Sequence, residues 1–171
     1  MMERVLIIGN SGSGKTTFAK KLASKTGLPL VHLDKLFWHG NWERVTKENF
    51  DSALQNELDK ERWIIDGNFS RTLPHRMKYC DTVFYFDLPT GCCLFGAVMR
   101  LIKNYGKSRE DMGGSCPERF DSNANAHLKG IINFNRIKRK SLYELLNKQA
   151  GKTVIIFKNR RQVNKYLKEL K

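Results

Sequence analysis

Eight consecutive residues near the start of the chain, Gly9, Asn10, Ser11, Gly12, Ser13, Gly14, Lys15 and Thr16, have the types and spacing that hold a row of phosphates. The glycines permit backbone angles that a side chain would block, so successive N–H groups can turn inward around an anion. Lys15 brings a full positive charge to the β- and γ-phosphates. Thr16 brings a hydroxyl that can ligate Mg²⁺, and Thr17 follows on the same cradle. A helix beginning at Lys15 adds the partial positive charge of its N-terminus. The chemistry implied is binding of a nucleoside triphosphate with Mg²⁺. The guanine-reading run Asn-Lys-x-Asp is missing, since its nearest match, Lys158-Asn159-Arg160-Arg161, lacks the aspartate. ATP is therefore expected rather than GTP.

Two carboxylates stand where such a nucleotide could use them. Asp66 ends the apolar run Trp63–Ile65 and could hold Mg²⁺ through water or orient an acceptor, although Asp66-Gly67 is also a common turn pair. Asp34 closes the apolar run Leu30–Leu33; it could take the proton of an acceptor hydroxyl as general base, or serve only as a cap or turn residue. Phe37, Trp38 and Trp42 around Gly40 could wall an acceptor pocket or fill a core under a loop. The segment 100–121 carries Arg100, Lys103, Lys107, Arg109 and Arg119. Phosphoryl transfer spreads negative charge over oxygens, and an arginine delivered by a closing lid stabilises it. Arg136 and Arg139, three apart on a helix, are further candidates for the γ-phosphate. His32, His39, His75 and His127 form no metal or triad spacing and receive no role.

The elements that must position these groups can be read from periodicity. Short apolar runs at Arg4–Ile8, Leu30–Leu33, Trp63–Ile65, Thr82–Phe86 and Thr153–Phe157 read as strands. Helices are expected from Lys15 to Thr26, from Lys47 (capped by Thr46) to about Lys60, over a short stretch before Thr82, over 90–104, from about Asn125 to Asn147, and over 160–170. Gly106–Asn125 is polar and rich in turn residues, and reads as a mobile lid excursion. Strands alternating with helices imply an α/β fold, a parallel sheet covered on both faces. Ligands then sit beyond the carboxyl ends of the strands, so Gly9–Thr16, Asp34, Asp66–Asn68 and Asp87 should converge on one crevice.

At 171 residues one domain suffices, spanning residues 1–171. No apolar run is long enough for a membrane span, and Val5–Ile8 is too short for a signal peptide, so a cytoplasmic protein without a membrane partner is expected. The four cysteines lack zinc spacing and are expected to be buried or idle thiols. The net charge of +14 is uneven, because residues 129–171 hold 13 basic and 2 acidic side chains. Such an excess suits a polyanion, either a triphosphate or a nucleic-acid backbone; it also suits a solvated helix surface.

The segment Trp63–Asn68 with Arg71 resembles the adenylate-kinase-like group of P-loop kinases. Together with Leu33-Asp34-x-Leu36-x-Trp38, Arg109-x-Asp111-Met112 and Cys116-x-Glu118-x-x-Asp121, it resembles the family described as DNA topology modulation protein, FlaR-related. That resemblance implies a P-loop NTPase three-layer α/β/α fold with a five-stranded sheet in the order 2-3-1-4-5 and a lid at 106–125. It implies that Asp34 faces the acceptor, that Arg100 and Arg109 are the lid arginines, and that the turn Lys158–Arg161 passes the adenine ring. Asp66-Gly67-Asn68-Phe69-Ser70-Arg71 departs from the Asp-Gly-Phe-Pro-Arg of true adenylate kinases, which turns expectation from a nucleoside monophosphate toward a hydroxyl acceptor. The whole reads as a Mg²⁺-dependent, ATP-binding kinase acting on a small-molecule or nucleotide acceptor. A nucleotide-binding, DNA-associated protein is the alternative, with no sequence-reading DNA motif to support it. A regulatory ATPase is a third reading.

Overall fold

The computed structural model describes residues 2–170; Lys171, counted in the basic C-terminal third, lies outside them. Five parallel strands, β1 (Arg4–Gly9), β2 (Leu30–His32), β3 (Trp63–Asp66), β4 (Thr82–Phe86) and β5 (Thr153–Phe157), form one sheet in the order β2-β3-β1-β4-β5. The central strand is apolar on both sides, and Val5, Leu6, Ile7 and Ile8 are all fully buried. Such continuous runs are what a parallel sheet covered on both faces requires.

Helices α1 (Lys15–Thr26), α5 (Thr90–Lys103) and α7 (Arg160–Glu169) cover one face, where Phe18, Leu22, Cys93, Ala97, Val163 and Leu167 meet Val5, Ile7 and Phe84. Helices α3 (Lys47–Leu58) and α4 (Leu73–Tyr79) cover the other, packing Phe50, Leu54, Leu73 and Met77 on Leu6, Ile8 and Ile65. The long helix α6 (Ser122–Asn147) serves both cores, Ile131 joining the first and Phe134, Leu142 and Leu146 the second. The result is a three-layer α/β/α arrangement.

Local chemistry sets the boundaries. α1 begins after Gly14 and ends at Gly27, both in the left-handed region, with the Gly27 N–H closing on the Ala23 carbonyl. Thr46 caps α3 by accepting a hydrogen bond from the Asn49 N–H at 3.2 Å. Most boundaries fall within two residues of the sequence expectation, and two of the differences bear on the site. β2 stops at His32, and Leu33–Phe37 forms a short helix, α2, that turns Leu33 into the core and leaves Asp34 in its first turn rather than at a strand end. α6 starts at Ser122, because the Asp121 carboxylate accepts from the Ala124 N–H and caps it; the excursion is correspondingly shorter. Among the described residues no helix is long and apolar enough to cross a membrane.

Candidate active site

The loop after β1 wraps the N-terminus of α1 and lies against α5. A Cβ on Gly12 would stand 2.0 Å from the Cys93 carbonyl oxygen, and one on Gly96 of α5 would stand 2.2 Å from the Gly12 carbonyl oxygen. Two glycines thus let loop and helix touch backbone to backbone. Asn10 is buried and donates to the Ile131 carbonyl of α6 at 2.9 Å; Ser13 Oγ donates to the Asn10 carbonyl at 2.7 Å. The Lys15 ammonium arches over the loop to that carbonyl, also at 2.7 Å. Burial lowers the Lys15 pKa, and the charge of Asp66 opposes the shift.

Asp66 ends β3 beside the loop. Its Oδ2 accepts from Thr16 Oγ1 at 2.8 Å and lies 3.3 Å from His32 Nδ1, while Oδ1 is buried without a partner. The segment that follows is held by Arg76, a fully buried guanidinium that donates to the carbonyls of Gly67 and Phe69. Among the described residues no group of three or more His, Cys, Asp or Glu side chains could hold a metal by itself. A hydroxyl, a buried carboxylate with one orphan oxygen and a phosphate cradle nonetheless fit Mg²⁺, which takes one or two protein ligands and completes its shell with phosphates and water.

A crevice of about 1250 Å³ collects Gly9 through Thr17, together with Asp34, Asp66, Arg100 and Arg109, so the sequence-predicted site residues do come together. Burial raises the Asp34 pKa, partly offset by Arg109. Arg100, on α5, has its pKa lowered by burial and then by Arg109. Both guanidinium Nε atoms face Glu118 Oε1, at 3.5 Å from Arg100 and 3.0 Å from Arg109, without hydrogen-bond alignment. Arg109 also pairs with Asp111 at 2.8 Å.

Several expectations need correction. Asp87 does not line the crevice. It is buried beneath α6, where it accepts from Arg139 at 2.9 Å, Tyr143 at 2.7 Å and Lys158 at 2.5 Å. Arg139 is thereby removed from the γ-phosphate candidates. Arg136 turns to Asn133, and the crevice receives Lys138 instead. In the turn after β5, Lys158 is spent on Asp87 and Asn159 caps α7; Arg160, Val163, Asn164 and Leu167 line the crevice from the α7 side.

Two histidines passed over in the sequence reach the site. His32 is the register partner of Asp66 across β2 and β3, strands that the expected order already made neighbours. His127, on α6, meets Ser11 Oγ at 2.9 Å and Arg100 Nη2 at 3.3 Å. Guanidinium only donates, so His127 Nε2 is the acceptor and Nδ1 carries the proton. Desolvation in the crevice, then the charges of Arg100, Arg109 and Lys15, push the His127 pKa down to about 4. No spacing in the sequence announces this contact, which depends on how α6 crosses the loop.

The sheet order β2-β3-β1-β4-β5, with the glycine-rich loop between β1 and α1, is that of a P-loop NTPase core. The family described as ATPase family associated with various cellular activities (AAA) matches residues 5–65. Shikimate kinase from Acinetobacter baumannii in complex with shikimate superposes with a TM-score of 0.60 at 17% identity, covering 100% of this chain and 97% of that one. Shikimate kinase from Bacteroides thetaiotaomicron gives 0.53 at 16% identity, covering 99% and 96%. A sugar kinase from Janibacter sp. HTCC2649 gives 0.54 at 17%, covering 98% and 91%. No curated protein matches the chain. The resemblance to the adenylate-kinase-like group and to the FlaR-related DNA topology family is thereby corrected, since these structures, similar over nearly the whole chain, are shikimate and sugar kinases.

Proposed function

We propose that the chain is an ATP-dependent kinase that moves the γ-phosphoryl group to a hydroxyl of a small molecule. The observation that carries this reading is the meeting of two cavities beside the phosphate loop. Asp34, Arg100, Arg109 and His127 line both the phosphate crevice and a second cavity of about 420 Å³. A triphosphate held by Gly9–Thr17 would lie on one side of that junction and an acceptor on the other. The fold of small-molecule kinases such as shikimate kinase supports the same assignment.

In this reading Asp34 takes the acceptor O–H proton, the freed oxygen attacks the γ-phosphorus, and the bond to the bridging oxygen breaks with its electron pair leaving on ADP. Burial raises the Asp34 pKa above the ordinary carboxylate value, which makes the carboxylate a stronger base. Lys15 balances charge at the β- and γ-phosphates, and Arg100 and Arg109 do so at the transferring group, their loosely aligned contacts with Glu118 being exchangeable for phosphoryl oxygens. Thr16 and Asp66 would hold Mg²⁺, which neutralises charge developing on the β- and γ-oxygens. The turns of α7 around Arg160 and Val163 offer the adenine its surface, and residues 106–121 would form the lid. The chain acts as one domain.

Calorimetry with ATP tests the cradle. Lys15→Ala should lose tight ATP binding while its fold, followed by circular dichroism, is retained. Unchanged affinity in the folded variant would remove the reading. Screening for acceptor-stimulated ADP formation over hydroxylated metabolites tests the transfer itself.

A further inference from the structure

The second cavity lies under an interlock of two segments distant in sequence. The Asn41 N–H donates to the Ser115 carbonyl at 2.7 Å, Trp42 Nε1 donates to the Pro117 carbonyl at 3.0 Å, and Cys116 Sγ lies 3.0 Å from the His39 carbonyl. The backbones approach so closely that a Cβ on Gly113 would sit 1.9 Å from the Trp38 carbonyl oxygen. Asn41 and Trp42 are both left-handed, with φ 59 and 61; asparagine tolerates this conformation, but a tryptophan holds it only where its surroundings enforce it. The interlock fixes the rings of residues 37–42 against the cavity.

One wall of that cavity is aromatic. Phe37, Trp38 and Trp42 are half-buried, with centroids 4.9 Å apart for the first pair and 5.5 Å for the second. Among the cavity's charged groups most already have a role: Arg100 and Arg109 face Glu118 and, in the kinase reading, the transferring phosphoryl group, and Asp121 caps the start of α6. Three remain. Arg44 and Arg119 are exposed and have no carboxylate partner among the described residues; the Arg44 guanidinium lies 5.6 Å from the Trp38 ring centre. Asp34 accepts no side-chain hydrogen bond there, and it alone of the three also lines the phosphate crevice. The ligand that satisfies this set has a flat apolar body, an anionic group for two guanidiniums and a hydroxyl for the carboxylate.

We propose that this cavity is the acceptor site and that it takes a planar ring compound bearing a negatively charged substituent, read by Arg44 and Arg119, and a hydroxyl that reaches Asp34. The inference rests on the kinase reading for the fate of the hydroxyl, but the class of ligand bound can be tested without turnover. Trp63 is fully buried, so changes in intrinsic fluorescence report on Trp38 and Trp42.

Three probes separate the features: 4-(hydroxymethyl)benzoate, its neutral amide, and the saturated-ring acid of the same outline. The aromatic acid should bind at least about ten-fold more tightly than either of the others, as expected for a bidentate ion contact and for ring stacking. In an Arg44→Gln/Arg119→Gln variant the preference for acid over amide should vanish, with an unchanged thermal melt because both side chains are exposed. Equal affinity for acid and amide, a preference that survives the double substitution, or no fluorescence response to the aromatic acid up to millimolar concentration would overturn the proposal. Addition of ATP and Mg²⁺ separates the two claims. Selective binding without ADP formation from any bound probe retains the ligand class and counts against the kinase reading, whereas ADP formation without charge selectivity does the reverse.

Discussion

Burial pushes Lys15 and Asp34 toward neutrality from opposite sides, lowering one pKa and raising the other. For Lys15 an arriving triphosphate opposes the shift, because its negative charge favours the ammonium form. For Asp34 the shift has a kinetic consequence, because a base must be deprotonated to act. Its raised pKa moves the acid limb of kcat/KM above the pH expected of an ordinary carboxylate. Asp34→Asn should lower turnover by about 10²–10⁴-fold with ATP affinity nearly unchanged, and should abolish that limb. A limb that persists in the variant assigns the titration to another group. The identities of Lys15, Thr16 and Asp66 were legible in the sequence because one motif and one strand end specify them. Asp34 was legible as a residue but not in its setting, since a five-residue helix carries too little periodicity to be seen. His127 was not legible at all, because its neighbours Ser11 and Arg100 lie on separate elements.

Elements meet at two places that substitution can probe. The contact of Gly12 with Gly96 joins the phosphate loop to α5, and α5 carries Arg100. Gly96→Ala puts a methyl group where the Gly12 carbonyl oxygen now stands, and backbone on both sides prevents an easy escape. ATP affinity should fall at least ten-fold and stability by about 1–3 kcal/mol, the usual range for overpacking; isothermal calorimetry and urea melts measure the two. Asp87 is the second place, joining β4 to α6 through Arg139 and Tyr143 and to the end of β5 through Lys158. Burial works to raise its pKa, but the hydrogen bonds from Lys158, Tyr143 and Arg139 prevail and hold it below the ordinary carboxylate value. A depressed folded-state pKa contributes stability that is complete above the unfolded value and is lost as pH falls through the folded one. Asp87→Asn should therefore cost about 1–3 kcal/mol at neutral pH and flatten the acid side of the stability profile, read from urea melts across pH. The sequence placed Asp87 at a strand end but gave no sign of its partners, which arrive from 52 to 71 positions away.

Across the whole molecule, the strands Thr82–Phe86 and Thr153–Phe157 and the helix Lys15–Thr26 were read to the residue, because apolar runs and glycine stops are local signals. The docking of residues 113–117 on residues 38–42 was not, since it depends on two loops meeting. Sheet order lies beyond periodicity as well, and it carries a consequence for the birth of the chain. Of the five strands β1 leaves the ribosome before the others yet occupies the middle of the sheet, pairing Arg4 with Trp63 on one side and Val5 with Thr82 on the other. Until those partners emerge, its apolar run has open edges on both flanks, a state prone to aggregation or capture by chaperones. Nascent chains stalled with Asp59 just outside the tunnel should be cleaved readily within residues 2–26 by added protease. Chains stalled with Pro89 outside should resist, because both neighbours of the founding strand are then available; equal cleavage at the two lengths would show that it is sheltered by some other means.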